Sequence, residues 1–518
     1  MNIQPQAYRL RWWTLAVLSV ALALAAMDTT IVNLAIPAIQ RDLGASGSVL
    51  QWIVNSYFLV FAGLLLTMGL LGDRFGRKTL LQIGVAVFAL GSLFAAYSQS
   101  SEQLIAARAL TGIAAAMMMP ATLSIVVAVF PREERAKAIA IWSAVAGIGV
   151  PLGQILSGLL LEYFWWGSVF LISLPVCGAI LVASLTLVPN SRDERPLPVD
   201  LAGAILSTGM LSSLVFAIIE APSRGWTDSV VLAGFGGALA LGVAFVAYEL
   251  RTMHPMLDVR LLRNRRMSAG AGAIVVAFLG LLGAFFLLTQ FLQIVRGYSP
   301  LETGLIFTTL ALAFGVASGL SERGVKVLGT NRVAAFGLGL VAVALVGISF
   351  FGMETDIWAI VLWMVVLGLG VGSVMAPGTE AMMGAVPEAN VGVGAALNEE
   401  TRLVGIALGV SILGSIANSI FASNMEGALS GLTAQIGAAA QDSIGAAIQV
   451  AGAVGGPEGE ALRSAANFAF VDASSTAILV GAGIAFTASA LVLFVMPGRA
   501  TLVPARTTME STNIVKGE

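Results

Sequence analysis

Residues 69 to 78 read Gly-Leu-Leu-Gly-Asp-Arg-Phe-Gly-Arg-Lys, a short polar turn between two long apolar runs. Gly72 and Gly76 permit a tight turn, and its three basic residues favour the cytoplasmic side of a membrane. The flanking runs, near 50–71 and 79–98, are each long enough to cross a hydrocarbon core of about 30 Å. This stretch therefore predicts two membrane-spanning helices joined by a cytoplasmic turn.

The rest of the chain repeats this pattern. Of its 518 residues, 58% are hydrophobic and 11% are charged, and the mean hydropathy is +0.91. A soluble domain is about a quarter charged, so we predict an all-α polytopic membrane protein. We place fourteen transmembrane helices near residues 12–37, 50–71, 79–98, 103–129, 137–162, 166–188, 200–220, 229–250, 268–295, 301–321, 332–353, 357–378, 391–420 and 474–496.

The basic residues indicate how the helices are oriented and grouped. Most of the 27 Lys and Arg residues fall in every second loop, which predicts that both termini are cytoplasmic. A charged loop at 251–266 and a proline-containing linker at 189–198 divide the helices into six, two and six. The predicted parts are an N-terminal bundle (1–190), two linker helices (191–262), a C-terminal bundle (263–500) with an extracellular loop near 421–473, and a cytoplasmic tail (501–518).

Several classes of function are disfavoured by composition. The net charge is −2 and the cations are scattered, so we expect no nucleic-acid binding. Cys177 is the single cysteine, which excludes a disulfide framework and a thiolate metal site. We find neither a nucleotide-binding P-loop nor a nucleophile with a paired base. We therefore expect no enzyme, no cofactor and no metal, and we expect the chain to act as a monomer in the lipid bilayer.

The stretch at 69–78 resembles the G-x-L-[AG]-D-R-x-G-R-K signature of the major facilitator superfamily. The resemblance implies a transporter made of two pseudo-symmetric six-helix bundles. It assigns a conformational latch to Asp73, Arg74, Gly76 and Arg77, whereas the alternative is that these residues only set the topology. A degenerate copy at 320–326 follows helix ten and indicates that the two halves are repeats.

Helix one contains the most specific motif. Residues 27–37 read Met-Asp-Thr-Thr-Ile-Val-Asn-Leu-Ala-Ile-Pro, which resembles the L-D-x-T-I-V-N-x-A-L-P signature of the fourteen-helix drug:proton antiporters. Asp28 lies near the middle of the run, where an unpaired carboxylate is costly and its neutral form is favoured. We interpret Asp28 as a proton carrier, a cation contact or both. The alternative is a structural acid paired with Arg108 or with polar neighbours.

Helices four and five carry two further motifs. Arg108 begins a stretch that resembles the R-x-x-x-G motif, in which the buried arginine is associated with proton coupling; a fixed structural ion pair is the alternative. Pro151, Gly153, Ser157 and Gly158 resemble the G-P-x-x-G-G motif of proton-linked exporters, although the proline is displaced. Small residues at these positions also allow close helix packing without a role in coupling.

Helix thirteen contains two adjacent acids in a stretch similar to the N-E-x-x-R-x-x-G pattern of the same antiporters. Neighbouring helical residues differ in direction by about 100°, so Glu399 and Glu400 lie on different faces. Glu399 and Arg402 are three residues apart and can pair. Both acids are candidates for contact with cargo or protons, and a structural pair on the cytoplasmic side is the alternative.

Two aromatic residues of helix two match the W-x-x-x-x-Y pattern of these antiporters. Trp52 and Tyr57 could form an aromatic wall that binds lipophilic or cationic cargo through stacking and cation–π contact. Anchoring at the membrane interface explains Trp52 equally well.

The resemblance implies a proton-coupled antiporter that exports lipophilic, cationic drugs or antiseptics across the cytoplasmic membrane of a bacterium. Its partners are then the bilayer, lipophilic small molecules and protons as coupling ions. A dedicated exporter of an endogenous metabolite or lipid-like compound is the first alternative, and a membrane sensor that does not transport is the second. We find no acid within helices nine to twelve, and so predict that dicationic drugs are poor substrates.

Overall fold

The computed structural model describes residues 5–192, 200–253, 255, 257–386, 391–429 and 433–498. The described residues are mostly helical. Fourteen of their helices are long and apolar enough to span a membrane. This confirms the predicted all-α polytopic fold and its fourteen spans.

The N-terminal bundle contains seven helices, of which the short α6 and α7 together make the sixth span. Ser46 and Ser100 begin α2 and α4 as N-caps, because each side chain accepts a hydrogen bond from a backbone N–H in the first turn. The helices are α1 (Pro5–Leu43), α2 (Gly47–Phe75), α3 (Arg77–Ala96), α4 (Ser101–Val129), α5 (Arg132–Tyr163), α6 (Ser168–Leu171) and α7 (Ser173–Leu187).

Two linker helices follow, α8 (Leu201–Arg224) and α9 (Ser229–Glu249). Asp200 and Asp228 cap their N-termini. Helix α8 packs against α2, where a methyl group added at Gly63 would meet the side chain of Thr208. The first linker helix therefore lies directly against the N-terminal bundle, and α9 packs against α8.

The C-terminal bundle supplies the remaining six spans and two short helices between the last two. The helices are α10 (Arg265–Gln290), α11 (Pro300–Leu328), α12 (Thr330–Ser349), α13 (Ile357–Met383), α14 (Val391–Met425), α15 (Ala434–Asp442), α16 (Ile444–Val454) and α17 (Gly456–Val495). A π-helical turn, Phe291–Val295, extends the span of α10.

The last helix begins earlier than its hydropathy indicates. We predicted a start near 474, but α17 begins at Gly456, so the non-spanning stretch is shorter than the predicted 421–473. Hydropathy detects only the lipid-embedded part of a helix. The residues before 474 are rich in alanine and continue the helix beyond that part because alanine has the highest helix propensity.

The two bundles share a main-chain feature that confirms the internal repeat. Gly76 has φ 113° and connects α2 to α3, and Gly329 has φ 91° and connects α11 to α12. The N–H of Arg77 then donates to the carbonyl of Ser191 at 2.9 Å, and the N–H of Thr330 donates to the carbonyl of Gly498 at 3.1 Å. In each half, the third helix is thus tied at its start to the segment that follows the last helix.

We use two names for the ends of the bundle. The terminal face is the one at which α1 begins and α17 ends, and the distal face is the opposite one, which carries α15 and α16. The bundles meet along α5 and α11 near the distal face, where a methyl group added at Gly158 would lie 2.8 Å from the Cα of Leu301. These backbones are therefore in direct contact in the distal half.

Candidate functional site

A buried ion pair joins α1 to α4. Nη1 of Arg108 donates to Oδ2 of Asp28 at 2.6 Å. The side chains are 1% and 3% exposed respectively, so the pair is shielded from solvent. Such a pair needs good geometry, because each charge loses its hydration on burial. The structure therefore brings together the two charged residues that the sequence placed in helices one and four.

Tyr57 completes this cluster from α2. The guanidinium carbon of Arg108 lies 4.4 Å from the centre of the Tyr57 ring, which is a cation–π distance. Close packing of α2 on α4 makes this possible, since a methyl group added at Gly112 would lie 2.6 Å from the carbonyl oxygen of Tyr57. Among the described residues, the Tyr57 hydroxyl and Nε of Arg108 have no hydrogen-bond partner. The cluster thus retains two polar atoms that can bind a ligand.

The motif of α5 packs directly against the helix that carries Asp28. A methyl group added at Gly153 would meet the side chain of Met27, the residue before Asp28. Oγ of Ser157 donates to the carbonyl of Ile31 at 3.1 Å. Pro151 lies inside α5, two residues before Gly153, without ending the helix.

Gly158, the last residue of that motif, contacts α11 as described above. The motif therefore connects the helix of Asp28 to the interface between the bundles. These contacts agree with the interpretation that the small residues of the motif allow close helix packing.

The two acids of α14 face different surroundings. Oε2 of Glu399 accepts a hydrogen bond from Nη1 of Arg402 at 2.6 Å, which confirms the predicted pair. The Arg402 guanidinium also lies 5.0 Å from the ring of Phe278 on α10. Oε2 of Glu400 is buried and has no hydrogen-bond partner among the described residues. Glu399 is therefore neutralised by Arg402, whereas Glu400 keeps one carboxylate oxygen without a partner.

A polar contact between α2 and α14 was missed by the sequence analysis. Nδ2 of Asn55 donates to Oγ of Ser411 at 3.1 Å, and Oγ of Ser415 donates to Oε1 of Gln51 at 3.3 Å. All four residues are buried. The signal was available, because on both helices the polar residues are four apart and therefore share one face.

The latch residues lie at the terminal face. Nη2 of Arg77 is 2.7 Å from Oδ1 of Asp73, and its Nη1 donates to the carbonyl of Ser124 on α4. Gly76 makes the positive-φ turn, and the Arg74 guanidinium lies 5.6 Å from the ring of Phe75. These contacts tie α2, α3 and α4 together within one bundle.

Trp52 lies apart from the central cluster. Its ring centre is 6.2 Å from that of Phe216 on the linker helix α8. The side chain therefore contributes to packing between α2 and the linker pair. Among the six residues proposed for coupling and binding, the structure brings Asp28, Arg108 and Tyr57 into contact with one another. The contacts of Trp52 and Glu399 lie elsewhere, with Phe216 and Arg402 respectively.

The prediction that helices nine to twelve contain no acid was wrong. The capping box of α11 contains Glu302 in its first turn, and the same helix extends past the predicted end to include Glu322. The last turn of α13 contains Glu380, which pairs with Arg266 of α10 at 3.1 Å. The predicted boundaries stopped the spans before two of these acids, because hydropathy falls where charged residues enter the last turn.

Comparison with known proteins decides the family. Residues 18–410 match the family model described as Major Facilitator Superfamily. The chain belongs to the major facilitator superfamily. This member is consequently a multi-pass membrane transporter, as its fourteen spans and repeated halves indicate.

Three relatives are similar to this superfamily member over most of its length. The multidrug efflux pump LfrA of Mycolicibacterium smegmatis is 36% identical over 93% of this chain and 95% of the relative. The methyl viologen resistance protein SmvA of Salmonella typhimurium is 34% identical over 90% and 94%. The tetracenomycin C resistance and export protein of Streptomyces glaucescens is 33% identical over 93% and 91%.

A solved structure supports the fold of this superfamily member. The crystal structure of a bacterial homologue of the human lysosomal transporter Spinster, in an inward-facing and unoccupied conformation, matches with a TM-score of 0.65. The sequence identity is 18%, and the match covers 93% of this chain and 98% of the other. At this identity, the likeness concerns the fold alone.

Proposed function

We propose that the protein is a proton-coupled antiporter that exports lipophilic, cationic drugs across the cytoplasmic membrane of a bacterium. The observation that carries this proposal is the buried Asp28–Arg108 pair beneath the Tyr57 ring. The printed names of the relatives support drug export, since all three are efflux or resistance proteins.

The chemistry of the cluster suits exchange of a proton for a cation. Asp28 can bind either a proton or a positive charge, whereas the guanidinium of Arg108 stays charged at every physiological pH. A cationic substrate that reaches Asp28 would displace Arg108 from the carboxylate and find the face of Tyr57 beside it. Protonation of Asp28 would remove the negative charge and release the cation. Binding of the two ions is then mutually exclusive, as antiport requires.

The driving force depends on the charge of the cargo. One proton that enters across a potential of 100 mV yields about 2.3 kcal/mol, but a monovalent cation that leaves across the same potential costs the same amount. Exchange of one proton for one monovalent cation is therefore driven by the pH difference alone, which supplies about 1.4 kcal/mol per pH unit. A second proton per cycle would add the contribution of the potential.

We assign the terminal face to the cytoplasm. The support is the distribution of Lys and Arg, which are concentrated in loops of this face. Both termini are then cytoplasmic, and α15 and α16 lie outside the cell. We further propose that one chain suffices for transport, because the cluster is built from α1, α2 and α4 of a single bundle.

The prediction that dications are poor substrates is weakened by two findings. It assumed that helices nine to twelve contain no acid, whereas α11 and α13 do contain acids. In addition, SmvA is named for resistance to methyl viologen, which is a dication. We therefore include dications among the cargo to be tested.

A second candidate function is a dedicated exporter of one metabolite. The observation in its favour is the similarity to a protein named for resistance to and export of tetracenomycin C, at nearly the same identity as to the multidrug pump. The same cluster would serve this function, since the fold does not determine the cargo.

The test is efflux of a fluorescent lipophilic cation from energised cells that express the wild type, Asp28→Asn or Asp356→Asn. Asp356 is the matched control, because it caps α13 and asparagine caps equally well. We expect efflux by the wild type and the control, loss of efflux in Asp28→Asn, and loss on addition of a protonophore.

Other outcomes point to the alternatives. If no cation moves but a single neutral compound is exported, the dedicated exporter is correct. If ligand binds but neither gradient nor mutation alters its distribution, the protein is a sensor. Export that survives both Asp28→Asn and the protonophore would refute proton coupling through this cluster.

A further inference from the structure

The connection between α9 and α10 exposes three arginines at the terminal face. Arg251 follows the end of α9 by two residues. Arg260 and Arg263 lie in a short 3₁₀ helix, Val259–Arg263, just before α10 begins. All three side chains are exposed. We call these three arginines the basic patch.

The arginines of the basic patch lie close to one another. Side chains three residues apart are eclipsed in a 3₁₀ helix, so Arg260 and Arg263 project from the same side, about 6 Å apart along the helix axis. Nη2 of Arg260 donates to the carbonyl of Leu250 at 3.5 Å. Because Arg251 is the next residue after Leu250, it lies beside Arg260. The patch therefore presents its positive charge in one place.

The turn that carries the patch is held in place from the inside. Val259 is 9% exposed and packs in one hydrophobic cluster with Leu66 of α2 and Phe245 of α9. Oδ1 of Asp258, which caps the 3₁₀ helix, accepts a hydrogen bond from the N–H of Arg260 at 3.0 Å. The arginines are thus displayed on a fixed backbone.

The charge of the patch is not neutralised within the described part of the chain. There, no carboxylate lies within ion-pair distance of Arg251, Arg260 or Arg263. Arg266 differs in this respect, since it pairs with Glu380 at 3.1 Å. The patch is therefore able to bind an anion without first breaking an ion pair to a described residue.

Apolar side chains border the patch. Leu250 is 45% exposed, Leu262 is 47% exposed and Met253 is 91% exposed. They lie where two membrane-spanning helices end, at the level of the lipid headgroups. A phospholipid offers both a phosphate for the arginines and acyl chains for these side chains. A soluble anion offers only the first.

This placement exceeds what topology requires. The bias of Lys and Arg toward cytoplasmic loops accounts for the sign of the charge in this connection. That bias depends on how many basic residues a loop contains, and it needs neither a fixed turn nor a common side for them. Fixed arginines beside exposed apolar side chains indicate instead a ligand with an anionic headgroup and an apolar body.

We propose that the basic patch binds the phosphate of an anionic phospholipid in the leaflet at the terminal face, with the acyl chains against Leu262 and Met253. Clusters of Lys and Arg directly after a membrane-spanning helix are typical sites for such headgroups. A lipid held there links the end of the linker helix α9 to the start of the C-terminal bundle. The binding involves neither cargo nor protons, so it stands apart from the proposed transport function.

The test measures lipid binding to the purified full-length protein in a neutral detergent by native mass spectrometry. Phosphatidylglycerol is the probe, and zwitterionic phosphatidylcholine is the lipid control. Combining Arg260→Gln with Arg263→Gln should weaken binding of the first phosphatidylglycerol about 25-fold, because each arginine near an anionic surface contributes about fivefold in affinity. Phosphatidylcholine should bind weakly and equally to both proteins.

The matched control combines Arg323→Gln with Arg332→Gln. These arginines are also exposed at the terminal face and also form no ion pair to a described residue, so the same charge is removed elsewhere. We expect the control to bind phosphatidylglycerol with the wild-type affinity. Glycerol 1-phosphate in large excess should not displace the lipid, because it lacks the acyl chains.

Three results would overturn the proposal. They are wild-type affinity in the patch variant, equal weakening in the patch and control variants, and displacement of the lipid by glycerol 1-phosphate. Thermal unfolding without added lipid checks that both double variants fold. If the patch variant does not fold, Arg251→Gln decides, since that side chain makes no hydrogen bond or ion pair to a described residue; it should bind about fivefold more weakly, and unchanged binding would refute the site.

Discussion

Removing either partner of the Asp28–Arg108 pair should destabilise the protein, but with a different dependence on pH. Asp28→Asn leaves a buried guanidinium that cannot lose its proton. Breaking a buried pair in this way costs about 3 to 5 kcal/mol, and we expect that loss at both pH 7 and pH 5. Arg108→Met leaves a buried carboxylate instead, which can become neutral by binding a proton.

The size of the difference follows from the cost of protonation. An ordinary aspartate has a pKa near 3.9, so protonating one costs about 4.2 kcal/mol at pH 7 and about 1.5 kcal/mol at pH 5. The electrostatic loss in Arg108→Met cannot exceed this cost. The two single variants should therefore be similarly unstable at pH 7, and Arg108→Met should be the more stable by about 2 to 3 kcal/mol at pH 5.

The double variant Asp28→Asn, Arg108→Met removes both charges and should recover most of the stability, since a buried ion pair can be replaced by neutral residues at little cost. The assay is equilibrium unfolding in detergent, followed by tryptophan fluorescence at the two pH values. Asp356→Asn again serves as the control for the aspartate-to-asparagine change. Equal responses of the two single variants to pH, or a double variant whose losses simply add, would refute the buried pair.

Two further predictions concern packing and the distal face. Gly112→Leu should fail to fold or should unfold at a much lower temperature, because even its Cβ would lie 2.6 Å from the Tyr57 carbonyl oxygen. The control Gly178→Leu should unfold like the wild type, since a methyl group there meets nothing within 4 Å. Thermal unfolding of the two variants measures the difference. Burial raises the pKa of Asp442, although the N–H of Gly47 donates to its carboxylate and acts in the opposite direction. The contribution of Asp442 to stability is therefore greatest below the ordinary aspartate pKa and is lost as the pH rises through its raised value. Asp442→Asn should thus melt higher than the wild type at pH 7, and a difference that does not shrink in acid would contradict this reasoning.

Much of the fold could be predicted because each membrane-spanning helix is recognisable from its own stretch of sequence. Apolar runs of sufficient length identify the helices, and alternate basic loops group them. The Glu399–Arg402 pair was equally accessible, since both residues lie on one helix at a spacing that brings them together. Pairing of Asp28 with Arg108 was one of two readings, and the cost of a lone buried charge suggested it.

Contacts between helices that are distant in the sequence could not be predicted from such local patterns. Asn55 meets Ser411, and Arg266 meets Glu380, because of how their helices are rotated and packed. Hydropathy carries no information about rotation. Trp52 illustrates the same limit, since the spacing of its motif suggested a shared wall with Tyr57, whereas the linker helix α8 provides its neighbour.

The length of α17 has a practical consequence for imaging. Its 40 residues extend about 60 Å at 1.5 Å per residue, about twice the thickness of the hydrocarbon core. The first part of α17 therefore projects from the membrane at the distal face, and we call this part the post. It packs against α16, where Gly459 contacts Ala451. A transporter buried in a detergent micelle offers few alignment features to electron microscopy. An antibody fragment raised against this post would supply one, without touching the path between the bundles.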